Sequence, residues 1–290
     1  MRFLFWNTNK NGDINDILCK IVIEQKINIV ILAEYADVVE DLILNLDLHG
    51  VRMKVYPTVG CDRITMLGTE ISVRQSRQDT YYSMQIINEQ YLLCGLHLPS
   101  SLWADKETQS LVFESTVHDV ELAEEENGLE KSIVVGDFNQ NPYENGCLSA
   151  KGFHGVPIAD EALRLARTIY GKNYKMFYNP MWNLLGDFDF PPGTYYYSGN
   201  KAANEFWNLL GDFDFPPGTY YYSGNKAANE FWNMFDQVIV RPQLREEFVD
   251  KELKIITQAE NISLVDEKRK PNKNISDHLP IVFQLKENWQ

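Results

Sequence analysis

Four carboxylates, two imidazoles and two carboxamides of this chain stand at the ends of apolar runs. Arg2-Phe3-Leu4-Phe5-Trp6 ends at Asn7, Ile29-Val30-Ile31-Leu32-Ala33 ends at Glu34, and the run Tyr91 to Leu96 ends at His97. Ile133-Val134-Val135 breaks into Gly136-Asp137-Phe138-Asn139. Asp277 and His278 come immediately before Leu279-Pro280-Ile281-Val282-Phe283, and Asp236 lies early in Met234 to Val240. Glu34 and Asp277 are hard oxygen donors, and Asn7 can join a metal shell. Such a set suits Mg²⁺ or Mn²⁺. Two imidazoles and no thiolate cluster argue against zinc. His278, with Asp236 as a carboxylate partner, makes a general acid/base set. Asn139, Asn7 and His97 can donate to charge developing on a phosphoryl oxygen. Together these groups specify metal-assisted attack of water on a phosphoester.

The elements that carry them follow from the same runs. Uninterrupted apolar stretches bounded by polar residues predict buried strands. Buried polar groups are costly, so the polar residues at the strand ends belong on a rim. Asn7, Glu34, His97, Asp137 and Asn139 follow their strands, whereas Asp236, Asp277 and His278 precede or open theirs. One shared rim therefore requires late strands antiparallel to early ones, giving mixed sheets with one polar edge. Asp13 is placed to cap a helix over Ile14–Gln25. A second helix is expected from Val38 to Leu46, and a third over Lys106–Glu125, its Glu124-Glu125-Glu126 end lying on a solvated face. Strands are expected at Val51–Tyr56, Ile64–Leu67 and Tyr81–Ile87. The alternation is that of an α/β or α+β layered fold.

At 290 residues and 44% hydrophobic content the chain can bury a substantial core. Chemistry-bearing residues spread from position 7 to 278 favour one domain over residues 1–290. No run approaches the roughly 18 to 20 apolar residues needed to span a bilayer. The first strand starts at once, without a leader, and Cys19, Cys61, Cys94 and Cys147 form no Cys-x-x-Cys pair. A cytoplasmic protein with reduced thiols is the expectation. The net charge of −14 opposes a long basic groove. It leaves room for one cleft where a divalent cation and a few basic residues reverse the field. His49, His118 and His154 are expected to be structural.

Residues 182–206 recur without change as residues 207–231. Two identical copies are a tandem duplication, not a solenoid, and a surface extension is the simplest accommodation. Each copy has Pro-Pro-Gly as a turn and Thr-Tyr-Tyr-Tyr as a strand. Thr194–Tyr197 or Thr219–Tyr222 can therefore pair beside the Asp236 strand, which allows exchange between two registers. Gly186-Asp187-Phe188 and Gly211-Asp212-Phe213 copy part of the Gly-Asp-Phe-Asn motif but follow no β-branched run, and are read as loops.

Trp6-Asn7, Leu32-Ala33-Glu34, Leu96-His97-Leu98-Pro99-Ser100 and Gly136-Asp137-Phe138-Asn139 form a specific set with Phe235-Asp236-Gln237 and Ser276-Asp277-His278-Leu279-Pro280. In that order the chain resembles the endonuclease/exonuclease/phosphatase superfamily, over nearly all its length outside one repeat copy. The resemblance implies the deoxyribonuclease-I-like fold: α+β, a four-layer sandwich of two mixed β-sheets flanked by helices. It implies Mg²⁺-dependent cleavage of phosphoesters, with Glu34, Asp277 and Asn7 at the metal. His278, oriented by Asp236, would be general base or transition-state partner. Asp137 and Asn139 would position or activate the nucleophile, with His97 on phosphate. Arg63, Arg74 and Arg77 are candidate phosphate contacts on family-like loops.

Departures separate the chain from two subfamilies. Asn9 and Tyr35 stand where abasic-site endonucleases carry Asp and a small residue followed by Lys. Asn141 and Met234-Phe235-Asp236-Gln237 replace the Arg and the Trp-Cys-Asp-Arg motif of inositol-phosphate phosphatases. The first reading is a Mg²⁺-dependent phosphodiesterase with a nucleic-acid substrate, DNA or RNA. Its rivals are a phosphatase of small or lipid phosphoesters and a catalytically silent binding protein whose extra copy covers the rim.

Overall fold

Strands that are apolar at every position need cover on both faces, and that demand organises the molecule. The structure is a computed structural model and describes residues 1–185, 218–222 and 232–286. In chain order the strands are β1 (Arg2–Asn7), β2 (Ile29–Ala33), β3 (Lys54–Tyr56), β4 (Ile64–Gly68), β5 (Val73–Asp79), β6 (Tyr82–Ile87), β7 (Tyr91–His97) and β8 (Ser132–Asp137). Then come β9 (Gly155–Val156), an exposed hairpin of β10 (Ala166–Ile169) and β11 (Lys172–Lys175), and β12 (Phe177–Tyr178). The last are β13 (Tyr220–Tyr221), β14 (Trp232–Asn233), β15 (Asp236–Val240), β16 (Lys254–Ile255), β17 (Gln258–Ala259), β18 (Ile262–Ser263) and β19 (Ile281–Gln284). The long helices are α1 (Asn15–Glu24), α2 (Val39–Leu48) and α3 (Lys106–Asn127).

Two large mixed sheets result, ordered β16-β19-β1-β2-β4-β3 and β5-β6-β7-β8-β15-β12-β9. In the second sheet, side chains alternate between two hydrophobic clusters. Leu93, Ile133, Val135, Val238 and Val240 join the cluster of the first sheet. Cys94, Leu96, Val134 and Ile239 join Phe113, Val120 and Ala123 of α3. The outer face of the first sheet is covered by Leu18, Ile21 and Val22 of α1 and by Leu42 and Leu46 of α2. This is the expected four-layer α+β sandwich, the deoxyribonuclease-I-like arrangement. The second sheet packs tightly on the first at Gly95, where an added Cβ would lie 2.8 Å from Ile31 Cγ2.

Strand directions bring the polar ends to one edge. β1 runs parallel to β2 and antiparallel to β19, with Asn7 opposite Ala33 and Phe5 opposite Ile281. β7 runs parallel to β8, setting His97 beside Asp137, and β15 runs antiparallel to β8, setting Asp236 opposite Asp137.

Some local expectations need correction. The α1 N-terminus is capped by Asp37, whose carboxylate accepts from the amides of Ile14 and Asn15 at 2.9 and 3.0 Å; Asp13 makes no cap. Glu124 is not on a solvated face. It is 3% exposed and accepts from Arg241 Nε at 2.6 Å, with Ser132 and Lys175 also bound to it. β5 was not foreseen, because its sequence VRQSRQD is that of a polar edge strand with few apolar positions. All four cysteines are buried and unpaired. Among the described residues no helix is long and apolar enough to cross a membrane.

Gly136 is required by the close pairing of β7 and β8, since a Cβ there would collide with the Leu96 carbonyl oxygen. The obstacle is backbone and cannot swing away. Gly136→Ala is therefore expected to destabilise the protein by about 1–3 kcal/mol, the usual range for overpacking. A urea unfolding midpoint equal to wild type would contradict this.

Candidate active site

The edge is tied together by hydrogen bonds from side chains and backbone amides to main-chain carbonyls. Trp6 Nε1 donates to the His278 carbonyl at 3.0 Å, and Ser276 Oγ donates to the Asn7 carbonyl at 2.8 Å. Ser276 Oγ also accepts from the His278 amide, so this turn is pinned to the end of β1. Leu98 N–H reaches the Asp137 carbonyl, Asn139 Nδ2 reaches the Leu98 carbonyl, and Phe138 N–H reaches the Phe235 carbonyl. Glu34 and Asn139 follow their strands with φ near +48° and +50°. Asn tolerates this left-handed region, but for Glu34 it costs roughly 1–2 kcal/mol. The turn is held by Thr8 Oγ1 and Lys10 N, each 2.9 Å from the Glu34 carbonyl.

The side chains converge on Asp137 Oδ2. Asn7 Nδ2 donates to it at 3.0 Å, His97 Nε2 lies 3.8 Å away, and His278 Nε2 lies 3.9 Å away. The other oxygen, Oδ1, accepts from the Asn139 amide at 2.9 Å. His278 Nδ1 donates to Asp236 Oδ2 at 2.8 Å; the direction follows because an ionised carboxylate only accepts. Glu34 Oε1 is 3.6 Å from His97 Nε2, and Asp277 Oδ1 is 4.0 Å from His278 Nε2. Asp236 and Asp137 are sealed from solvent, whereas the side chains of Glu34 and Asp277 are 26% and 27% exposed. The site thus has a dry inner network and two open carboxylates at its mouth.

Burial alone would disfavour a charged His278. The Asp236 carboxylate, reinforced by Asp137 and Asp277, outweighs that cost and pushes its pKa up to about 10. The imidazole therefore carries a proton at neutral pH, with Nε2 turned toward Asp137. Burial raises the Asp236 carboxyl, while the imidazolium opposes that rise.

Asp137, Asp236 and His278 bring ligand atoms within 4.8 Å of one another. This trio suits proton handling better than metal binding. An imidazolium has no lone pair to give, and Asp236 has no exposed oxygen. Glu34 and Asp277 present exposed hard donors on either flank, the donor set that suits a cation such as Mg²⁺. Asn7, expected as a ligand, has its carboxamide engaged twice within the protein: Nδ2 on Asp137 and Oδ1 under the Asn9 amide at 3.0 Å. In this structure it orients Asp137.

The three arginines separate. Arg63 immediately precedes Ile64, which pairs with Ala33, and its guanidinium lies 4.9 Å from the Tyr81 ring centroid. Arg74 is paired with Glu89, and Arg77 with Glu126 and Asp119 on the α3 side. These two are committed to surface carboxylates, and the structure does not bring them to the rim.

The sequence pattern marks Thr219–Tyr222 as one of two candidate strands beside Asp236 but gives Thr219 and Tyr220 no role at the site. Thr219 Oγ1 accepts from the Asp236 amide at 3.2 Å, its carbonyl accepts from the Leu279 amide, and the Tyr220 ring lies 4.8 Å from the imidazole of His278. The described residues of the second copy, 218–222, therefore lie against the site, with β13 paired to β14. Thr194–Tyr197 and both repeated Gly-Asp-Phe triplets lie outside the described residues. Asn141 spans to the β14 end, holding the Met234 amide and the Asn233 side chain. His154 is buried far from this edge, against β11 and β12.

No protein-family description and no curated protein sequence matches the chain. Among solved structures it is similar to an AP endonuclease from Archaeoglobus fulgidus, 14% identical with a TM-score of 0.52, covering 99% of this chain and 100% of that one. It is also similar to the endonuclease domain of TRAS1, a telomere-specific non-LTR retrotransposon, at 12% identity and TM-score 0.51, covering 99% of each chain. A third is the 3′-5′ exonuclease NExo from Neisseria meningitidis, at 11% identity and TM-score 0.50, covering 99% of this chain and 100% of that one. These likenesses show that the chain has the deoxyribonuclease-I-like fold of the endonuclease/exonuclease/phosphatase proteins.

The Asp236–His278 contact has a measurable signature. Because the folded pKa exceeds the ordinary 6.5, its stabilisation is complete below about pH 6.5 and is lost as pH rises through about 10. In metal-free protein, the His278 ring resonances are expected to titrate near that upper value, and Asp236→Asn should move the midpoint downward by units. A wild-type midpoint near 6.5 would contradict the assignment.

Proposed function

We propose that the chain is a divalent-metal-dependent phosphodiesterase, foremost a nuclease that hydrolyses DNA or RNA with Mg²⁺ or Mn²⁺. The observation that carries this reading is the convergence of Glu34, His97, Asn7, Asp137, His278 and Asp236 in successive contacts of 4 Å or less. Residues from six separate segments share no structural reason to pool this much polarity at one edge. The fold of the nucleases it resembles supports the same reading.

Glu34 and Asp277 would hold the cation, which when bound polarises a phosphoryl oxygen. Asp137 is fixed by Asn7 and by the Asn139 amide, and takes the proton of the attacking water. As the new P–O bond forms, the ester P–O bond opposite it breaks. His278, charged through Asp236, presents Nε2–H to the developing negative charge on a non-bridging oxygen, and His97 does the same from the other flank. Asn139 and Arg63 help position the phosphate.

A phosphomonoesterase reading is favoured by one observation. A structural neighbour is described as the 3′ phosphatase NExo bound to product DNA hairpin, with a TM-score of 0.50 and 11% identity. Inorganic phosphate released in place of shortened polynucleotide would select it.

The test is a panel of single- and double-stranded DNA, RNA and phosphoinositides, each with and without Mg²⁺. Polynucleotide shortening that requires the metal is the expected result. Glu34→Gln should abolish it while leaving the unfolding midpoint in place. His278→Ala should lower kcat by about 10² to 10⁴, the range for a positioned proton-handling group. Full activity of either variant would remove that residue from the mechanism.

A further inference from the structure

Beside the catalytic edge lies a cleft of about 340 Å³ lined by Tyr221, Lys270, Asn272, Lys273, Asn274 and Asp277, with Asp266 and Pro271 completing it. Asp277 belongs to both the cleft and the mouth of the site, so whatever fills the cleft adjoins whatever is held there. The cleft, into which Lys270 and Lys273 enter, adjoins the densest run of basic residues in the sequence. Lys268-Arg269-Lys270-Pro271-Asn272-Lys273 places four cations among six residues, in a chain whose net charge is −14. A concentration of this kind against so acidic a background marks a local partner for anions, not general solubility.

The geometry prepares the cations for that role. Lys270 Nζ sits 3.9 Å from the centroid of the Tyr221 ring, a cation–π contact that orders a flexible side chain. Tyr221 is itself braced by the edge of Trp232 at 5.3 Å. Of the two exposed acidic residues that open the loop, Asp266 and Glu267, the first lines the cleft and its Oδ1 accepts from the backbone amides of Lys268 and Lys270 at 2.8 and 2.9 Å. Asn272 Oδ1 is similarly used on the Asn274 amide. The lining combines two lysines, two aspartates and two asparagines with Tyr221 and Pro271. Its volume is at the small end for a ligand pocket. It is large enough for a phosphate and a sugar.

Building on the hydrolase reading above, we infer that this cleft is a subsite for the nucleotide next to the scissile phosphate. Lys270 and Lys273 engage its flanking phosphodiester. The substrate is then a polynucleotide strand and not an isolated phosphomonoester or a lipid headgroup. The duplicated segment acquires a role here, because Tyr221 of its second copy is the platform on which Lys270 is held.

The experiment measures binding of a short labelled single-stranded oligonucleotide by fluorescence anisotropy, with Ca²⁺ in place of Mg²⁺, across a salt series. Lys270→Gln with Lys273→Gln should weaken binding about tenfold and reduce the slope of log affinity against log salt by about 1.4, at about 0.7 per phosphate contact on a single strand. A control pair of equal charge change, Lys54→Gln with Lys172→Gln, should leave the slope at the wild-type value. Equal effects of the two pairs, or no binding by wild type, would overturn the subsite. The hydrolase reading is judged separately by turnover of bis(p-nitrophenyl) phosphate in Mg²⁺. Turnover without strand binding defeats the subsite alone, and strand binding without turnover of any ester defeats the hydrolase reading alone.

Discussion

A buried carboxylate–imidazolium pair joins the two sheets of this protein. Asp236 opens β15 in the second sheet and His278 stands just before β19 in the first, and they meet at 2.8 Å with Asp236 fully enclosed. Charges withdrawn from water in this way are costly, and removing one member of such a pair typically costs about 3–5 kcal/mol. The pair is therefore satisfied only if both sheets hold their relative position. Thr219 bridges them, accepting from the Asp236 amide and, through its carbonyl, from the Leu279 amide, and Asn7 Nδ2 donates to Asp137 across the same seam. The same constraint that fixes the sandwich also sets the charge and direction of His278, so architecture and chemistry share one contact.

Much of this was legible in the chain itself, for a physical reason. β1, β2, β7 and β8 are covered on both faces, so their sequences are continuously apolar and their ends are marked by the first polar residue. Requiring Asp277 and His278 to share an edge with Asp137 was enough to demand antiparallel late strands, which β15 and β19 provide. What escaped was held by distant partners. β5 is a polar edge strand, and Asp37 caps a helix N-terminus that lies more than twenty residues before it. Glu124 reads as part of an acidic run until Arg241, remote in sequence, encloses it. Thr219 and Tyr220 sit in repeated sequence where nothing local distinguishes one copy from the other. Arg74 and Arg77 had the right type for phosphate but found carboxylates first.

The charge distribution fits this division of labour. An acidic exterior disfavours indiscriminate binding of polyanions, because each phosphate contact must be made by a particular cation. Lys270 and Lys273 line a cleft that shares Asp277 with the site, while the inner network is buried. The cleft and the polar edge of the sheets adjoin at Asp277.

The central claim is that these distant segments fold to create one site for a hard cation between Glu34 and Asp277. The most direct measurement is a Mn²⁺ titration of the purified protein followed by electron paramagnetic resonance. The account predicts one saturable ion per chain, lost when Asp277 is changed to Asn. A wild-type chain that leaves all the Mn²⁺ free in solution would contradict it.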